Sequence, residues 1–172
     1  MTKTIYIYIL FLILGFGVYS QNITVSPELR IDSTKIKITE YDFDYYAYSS
    51  FDNKKSDSLI VSIASIGTSV TALQIDLTSR PTAYITLMSD YKEFEGKDTK
   101  RVDFESYELE LNDTEFKKND TIYGRFKGVS KPIKNSLGTY RIAFSGEFRH
   151  VIGVLMFKRK ETDKYRIMED DY

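Results

Sequence analysis

The residues of this chain that could do chemistry are few and scattered. His150 is the sole histidine. A lone imidazole can act as a general base or a metal ligand. One His cannot build a multi-His site, however, and no neighbour in sequence supplies a serine and a carboxylate in a recognisable nucleophilic order. His150 therefore reads as a hydrogen-bonded residue of the core or its rim. Asp42 and Asp44 lie two apart, which on a strand puts both carboxylates on one face. Glu147 is expected to face solvent as well. A carboxylate pair flanking a cleft can hydrolyse a glycosidic bond, and an ordinary solvated strand face carries the same pattern. Asp52-Asn53-Lys54-Lys55-Ser56-Asp57 offers oxygen ligands, but a helix-loop-helix Ca²⁺ loop needs Gly at its sixth position and Glu at its twelfth. Asp57 stands at the sixth, and the two Lys repel a cation. That stretch reads as a polar turn.

The remaining chemistry is aromatic. The chain has 14 Tyr and 11 Phe but no Trp. Tyr combines an apolar ring with a polar tip, which suits stacking on sugar rings or seating a partner. The stretch from Tyr41 to Tyr48 is dense in this residue. Tyr41, Tyr45 and, further on, Tyr123 are the candidates for binding. No catalytic or metal-ligating residue is assigned and no cofactor is implied. The chain has no Cys, which excludes disulfides, thiolate metal sites and Cys nucleophiles together. It also carries no Gly-rich phosphate loop and no metal-ligand spacing.

The first twenty residues bear on compartment. Lys3 precedes an unbroken apolar run from Ile5 to Phe16, and Val18-Tyr19-Ser20 leads into Gln21. This is the order of charged, apolar and cleavage regions in a secretory signal peptide. Val18 and Ser20 would occupy the −3 and −1 positions of a cut between Ser20 and Gln21. The run is shorter than the roughly 20 residues a spanning helix requires. Export to the periplasm or beyond is expected, with no stable membrane span after cleavage. Removing residues 1–20 takes away only Lys3, so 24 basic residues fall to 23 against 25 acidic. A near-neutral, interspersed balance argues against a nucleic-acid partner, which calls for a basic stripe.

Residues 21–172 make one domain, long enough to bury about 68–70% of the unfolded surface without covalent staples. The dominant hydrophobic period is two. Lys35-Ile36-Lys37-Ile38-Thr39 alternates, and Tyr41 to Tyr45 continues with aromatics and carboxylates on opposite faces. The phase then slips at Tyr46 and Tyr48, as at a bulge. Residues 41–50 and 58–66 read as a hairpin about the polar turn. Val70 to Leu77 and Ala83 to Met88 are further strands, and Glu93 to Arg101 is an exposed loop. A second bend is expected near Ser106, between the phase of Val102 and Phe104 and that of Tyr107, Leu109 and Leu111. Ile122 and Phe126 share one face. After a loop from Lys131 to Gly138, Tyr140, Ile142, Phe144, Gly146 and Phe148 alternate with polar residues, the pattern of a half-buried antiparallel strand. Val151 to Phe157 reads as a last strand. No window outside the leader holds a good helical period. The fold class is all-β, an antiparallel β-sandwich or partly open β-barrel of about eight to ten strands.

Gly124-x-Phe126 and Gly146-x-Phe148, with the Ser20-Gln21 junction, resemble small exported β-domains of the Bacteroidota type, in which paired G-x-F strands lie near the C-terminus. The resemblance covers roughly residues 105–150. It implies a β fold and an exported compartment, and carries over no functional residue. The functional expectation is an envelope or extracellular module, non-catalytic, that binds a protein or glycan partner or serves a structural role. A secreted hydrolase with a carboxylate pair, or a small-ligand carrier barrel, is the alternative.

Overall fold

The computed structural model describes residues 21–153, apart from 56–57, 66–68, 79, 91–93, 95–96 and 136–137. The expected leader, most of the expected strand from Val151 to Phe157, and the C-terminal tail lie outside the described residues. Among the described residues there is no helix. The strands are β1 (Gln21–Val25), β2 (Lys35–Glu40), β3 (Phe43–Ala47), β4 (Ser49–Lys55), β5 (Ser58–Ala64) and β6 (Ser69–Leu77). They continue as β7 (Thr82–Ser89), β8 (Thr99–Leu111), β9 (Thr121–Ser130), β10 (Ile133–Asn135), β11 (Gly138–Tyr140) and β12 (Ile142–Val151).

Nine of them follow one path, β3-β2-β12-β9-β8-β7-β6-β5-β4, with every neighbouring pair antiparallel. The end strands β3 and β4 are consecutive in the chain, with only Tyr48 between them. The sheet therefore curls on itself into a nearly closed barrel. β1 joins beside the second half of β8 in parallel, Gln21 opposite Tyr107 and Val25 opposite Leu111. It takes up the hydrogen-bonding edge of β8 beyond the point where pairing with β7 ends, at Tyr84 opposite Asp103. The register of β8 against β9 shifts between Phe104 and Ser106. This is the bend that the phase change in sequence foretold.

The interior is filled by side chains. Phe104, Phe126 and Phe144 meet with ring centroids 5.0 to 6.5 Å apart, and Tyr107 lies against Phe126 at 5.8 Å. Ile36, Ile38, Ile63, Leu73, Ile75, Ile85, Leu109 and Ile122 complete the packing, all almost fully buried. Tilted and edge-on ring pairs at these distances are the favourable arrangements for aromatic quadrupoles. The G-x-F units have a direct role here. Gly124 sits opposite Phe148 in the β9–β12 pair, and a Cβ on Gly124 would collide with that ring. Phe148 thus covers the bare glycine backbone and is itself fully buried.

Three local readings are corrected. The residues from Tyr41 to Tyr48 do not form one bulged strand of a hairpin with 58–66. Tyr41 and Asp42 both adopt positive φ, 50° and 66°, between Glu40 and Phe43, which pair across a tight β2–β3 hairpin. Two successive positive φ values define a type I′ turn, whose right-handed twist matches the flanking strands. Asp42 is therefore in a turn and does not share a strand face with Asp44. Second, the polar stretch Asp52 to Lys55 is strand: β4 pairs with β5 from Ser49 opposite Ala64 to Lys55 opposite Ser58. β4 ends the sheet path, where the exposed Lys54 guards an edge against pairing with other chains. Third, the loop from Lys131 to Gly138 contains β10, which pairs with β11 as a small separate hairpin.

Candidate functional site

Two concave regions lie at opposite ends of β2. The larger, about 990 Å³, opens at the end marked by Glu40 and the Tyr41-Asp42 turn. The turn sets Tyr41 on Tyr140 of β11, rings stacked with centroids 4.0 Å apart. The Asn135 amide of β10 donates to the Tyr41 hydroxyl. Positive φ is uncommon for a bulky residue and costs stability; the ring stack and the amide hydrogen bond hold Tyr41 in it. Tyr45 points inward from β3, and its hydroxyl donates to Glu40 Oε2 at 2.9 Å. The Thr71 hydroxyl donates to the same carboxylate oxygen at 3.3 Å. Phe94, Lys100 and Ile133 contribute to the walls. The cleft thus combines aromatic faces with an oriented carboxylate, an amide, hydroxyls and an ammonium group.

Burial pushes the Tyr45 hydroxyl well above the ordinary tyrosine range. Burial does the same at Tyr140, reinforced by the Tyr41 hydroxyl and the Glu40 charge. Tyr84 and Tyr107 are raised too, mainly by burial. A folded-state pKa raised above the unfolded value, near 10 for tyrosine, contributes stability that is complete below that value. It is lost as the pH rises through the folded value. Spectrophotometric titration at 295 nm should therefore show a late tyrosine fraction that ionises only as the fold opens. Replacing Tyr45 and Tyr140 with Phe should shrink the late fraction.

The sequence candidates separate on this geometry. Tyr41 and Tyr45 meet in the cleft. Tyr123 does not join them: it lies on the outer face of β9, with the Arg30 guanidinium 5.4 Å from its ring centroid. Asp44 faces outward, bonded to Lys37 Nζ at 2.7 Å and to the Thr39 hydroxyl at 2.6 Å. The Lys37 hydrogen bond, then that of Thr39, holds its carboxyl below the usual carboxylate range. Glu147 is exposed, 4.0 Å from Arg125. The structure brings none of Asp42, Asp44 and Glu147 together in a cleft. Tyr140, Asn135 and Thr71 were not singled out from sequence. Tyr140 had a discoverable signal, an aromatic at the start of an alternating strand and so at a barrel rim.

The second region, about 510 Å³, lies at the Lys35 end of β2, where β12 approaches β4. Main-chain pairing is replaced there by side chains. The Thr34 hydroxyl donates to the Arg149 carbonyl at 2.8 Å and accepts from the Arg149 amide at 3.1 Å. His150 Nε2 lies 2.7 Å from Asp52 Oδ1, and His150 Nδ1 lies 3.1 Å from Ser50 Oγ. The Gly153 amide donates to Asp52 Oδ1 at 3.2 Å. The His150 and Asp52 side chains are less than a tenth exposed. His150 is thus a hydrogen-bonded rim residue, as read from sequence, but its partners were missed. The available signal was Ser50 and Asp52 at alternate positions of one strand, which set a hydroxyl and a carboxylate on the same face.

No protein-family model matches the chain, and no curated protein matches it closely enough to indicate kinship.

Proposed function

We propose that this is an exported module that binds a protein or glycan partner through the tyrosine cleft at the mouth of its barrel. The observation that carries the reading is the Tyr41–Tyr140 stack beside Glu40, Tyr45, Thr71 and Asn135. Tyr41 keeps two-fifths of its surface exposed. Exposed aromatic faces beside oriented donors and acceptors suit a polar ligand with apolar ring faces, such as a pyranose, or a peptide carrying polar side chains.

Export is the second part of the proposal. N-terminal mass spectrometry of material secreted by the producing cell should begin at Gln21; an intact Met1 in a membrane fraction would refute it. For binding, the immobilised chain should capture a specific partner from its own envelope or medium, or a defined group on a glycan array. Tyr41→Ala should weaken capture by tenfold or more, about the 1.4 kcal/mol or greater expected when an interface aromatic is truncated.

A further inference from the structure

From the seam between β4 and β12 we infer a second function, independent of the tyrosine cleft: Ser50 is a nucleophile, with His150 as its general base and Asp52 as the group that orients His150. Three observations support this. The nucleophile–base and base–orienter contacts, 3.1 and 2.7 Å, are both of hydrogen-bonding length. The His150 and Asp52 side chains are each less than a tenth exposed, and Ser50 is half-buried. Ser50 and His150 also line a shared cleft of about 510 Å³. Serine, histidine and aspartate in these roles are recognised by geometry rather than by order in the chain.

The tautomer follows from the partners. An ionised Asp52 can only accept, so Nε2 carries the ring proton. In the neutral ring Nδ1 then has a free lone pair and accepts from the Ser50 hydroxyl. Once Nδ1 is protonated it donates to Ser50 Oγ, and the Arg149 carbonyl, 3.4 Å from Oγ, takes a hydroxyl proton. The Gly153 amide steadies the carboxylate through both states.

The substrate class is a carboxylic ester small enough for an open cleft. Ser50 Oγ bonds to the acyl carbon as its proton passes to His150 Nδ1. The ester C–O bond then breaks, and the alcohol leaves with that proton. Water attacks the acyl-serine, giving a proton to His150, and the carboxylic acid departs as Ser50 regains its hydrogen. Asp52 stays ionised throughout.

The test is a fluorophosphonate probe on the purified chain, with adduct sites mapped by mass spectrometry. Labelling forms an Oγ–P bond and releases fluoride. The expected result is one adduct at Ser50, formed at least about tenfold faster than at Ser33, which lines the same cleft without such partners. Ser50→Ala should abolish that adduct, and Asp52→Asn should slow it by about tenfold or more. Should Asp52→Asn loosen the seam, the Ser50-to-Ser33 ratio in the unaltered chain decides alone. No adduct at Ser50, or one formed no faster than at Ser33, overturns the inference.

Discussion

Phe144→Ala is expected to lower the unfolding free energy by about 3–5 kcal/mol. Phe144 is fully buried and contacts two other rings, Phe104 at 5.8 Å and Phe126 at 6.5 Å between centroids. Those partners are fixed on β8 and β9, so the site cannot collapse around a methyl group, and the void adds to the lost transfer energy. Arg141, three positions earlier, is the contrasting site. Its guanidinium pairs with the Glu105 carboxylate, but both side chains are substantially exposed to water, 45% and 32%. Arg141→Ala should therefore cost less than about 1 kcal/mol. Urea denaturation of both variants checks the register of β12: equal losses would place Phe144 on the wrong face.

Gly146→Ala is expected to be as damaging as a core truncation although it adds only a methyl group. Gly146 has φ of +147°, which L side chains rarely adopt. Forcing it there costs about 1–3 kcal/mol. A Cβ would also run into the Lys35 carbonyl of the neighbouring β2 backbone, and overpacking of this kind costs a further 1–3 kcal/mol or so. Backbone cannot swing aside like a side-chain end, so the β2–β12 pairing must give way. Loss of amide-exchange protection in β2 ahead of the rest of the barrel would locate the damage. A variant with unchanged stability would mean β2 does not cross Gly146 so closely.

How far the sequence revealed this architecture depends on how one-sided each strand's environment is. β9 and β12 bury one face and wet the other, so Ile122, Phe126, Phe144 and Phe148 could be placed by period alone. The bend near Ser106 was legible because a register shift flips every later side chain. The Tyr41-Asp42 turn was hidden, because a type I′ turn is usually announced by Asn or Gly, not Tyr. What holds it in place, Tyr140 and Asn135, lies more than ninety residues away. The Ser50–His150–Asp52 cluster was hidden for the same reason: 98 residues separate Asp52 from His150, and only the curling of the sheet joins them. The parallel docking of β1 on β8 also had no local signature, since short parallel strands need no distinctive turn. The tyrosines were visible as a group, but composition could not separate Tyr41 and Tyr45, which share a cleft, from Tyr123 beneath Arg30.

That separation allows the proposed binding role to be tested site by site. Once a partner or glycan is captured, its affinity should be measured by calorimetry for the unaltered chain, Tyr41→Ala, Tyr140→Ala and Tyr123→Ala. Binding through the barrel mouth predicts a loss of tenfold or more at Tyr41 and Tyr140, where the two rings form one surface. It predicts little change at Tyr123, which lies on the outer face of β9. Loss of affinity at Tyr123 with Tyr41 and Tyr140 unaffected would contradict the account.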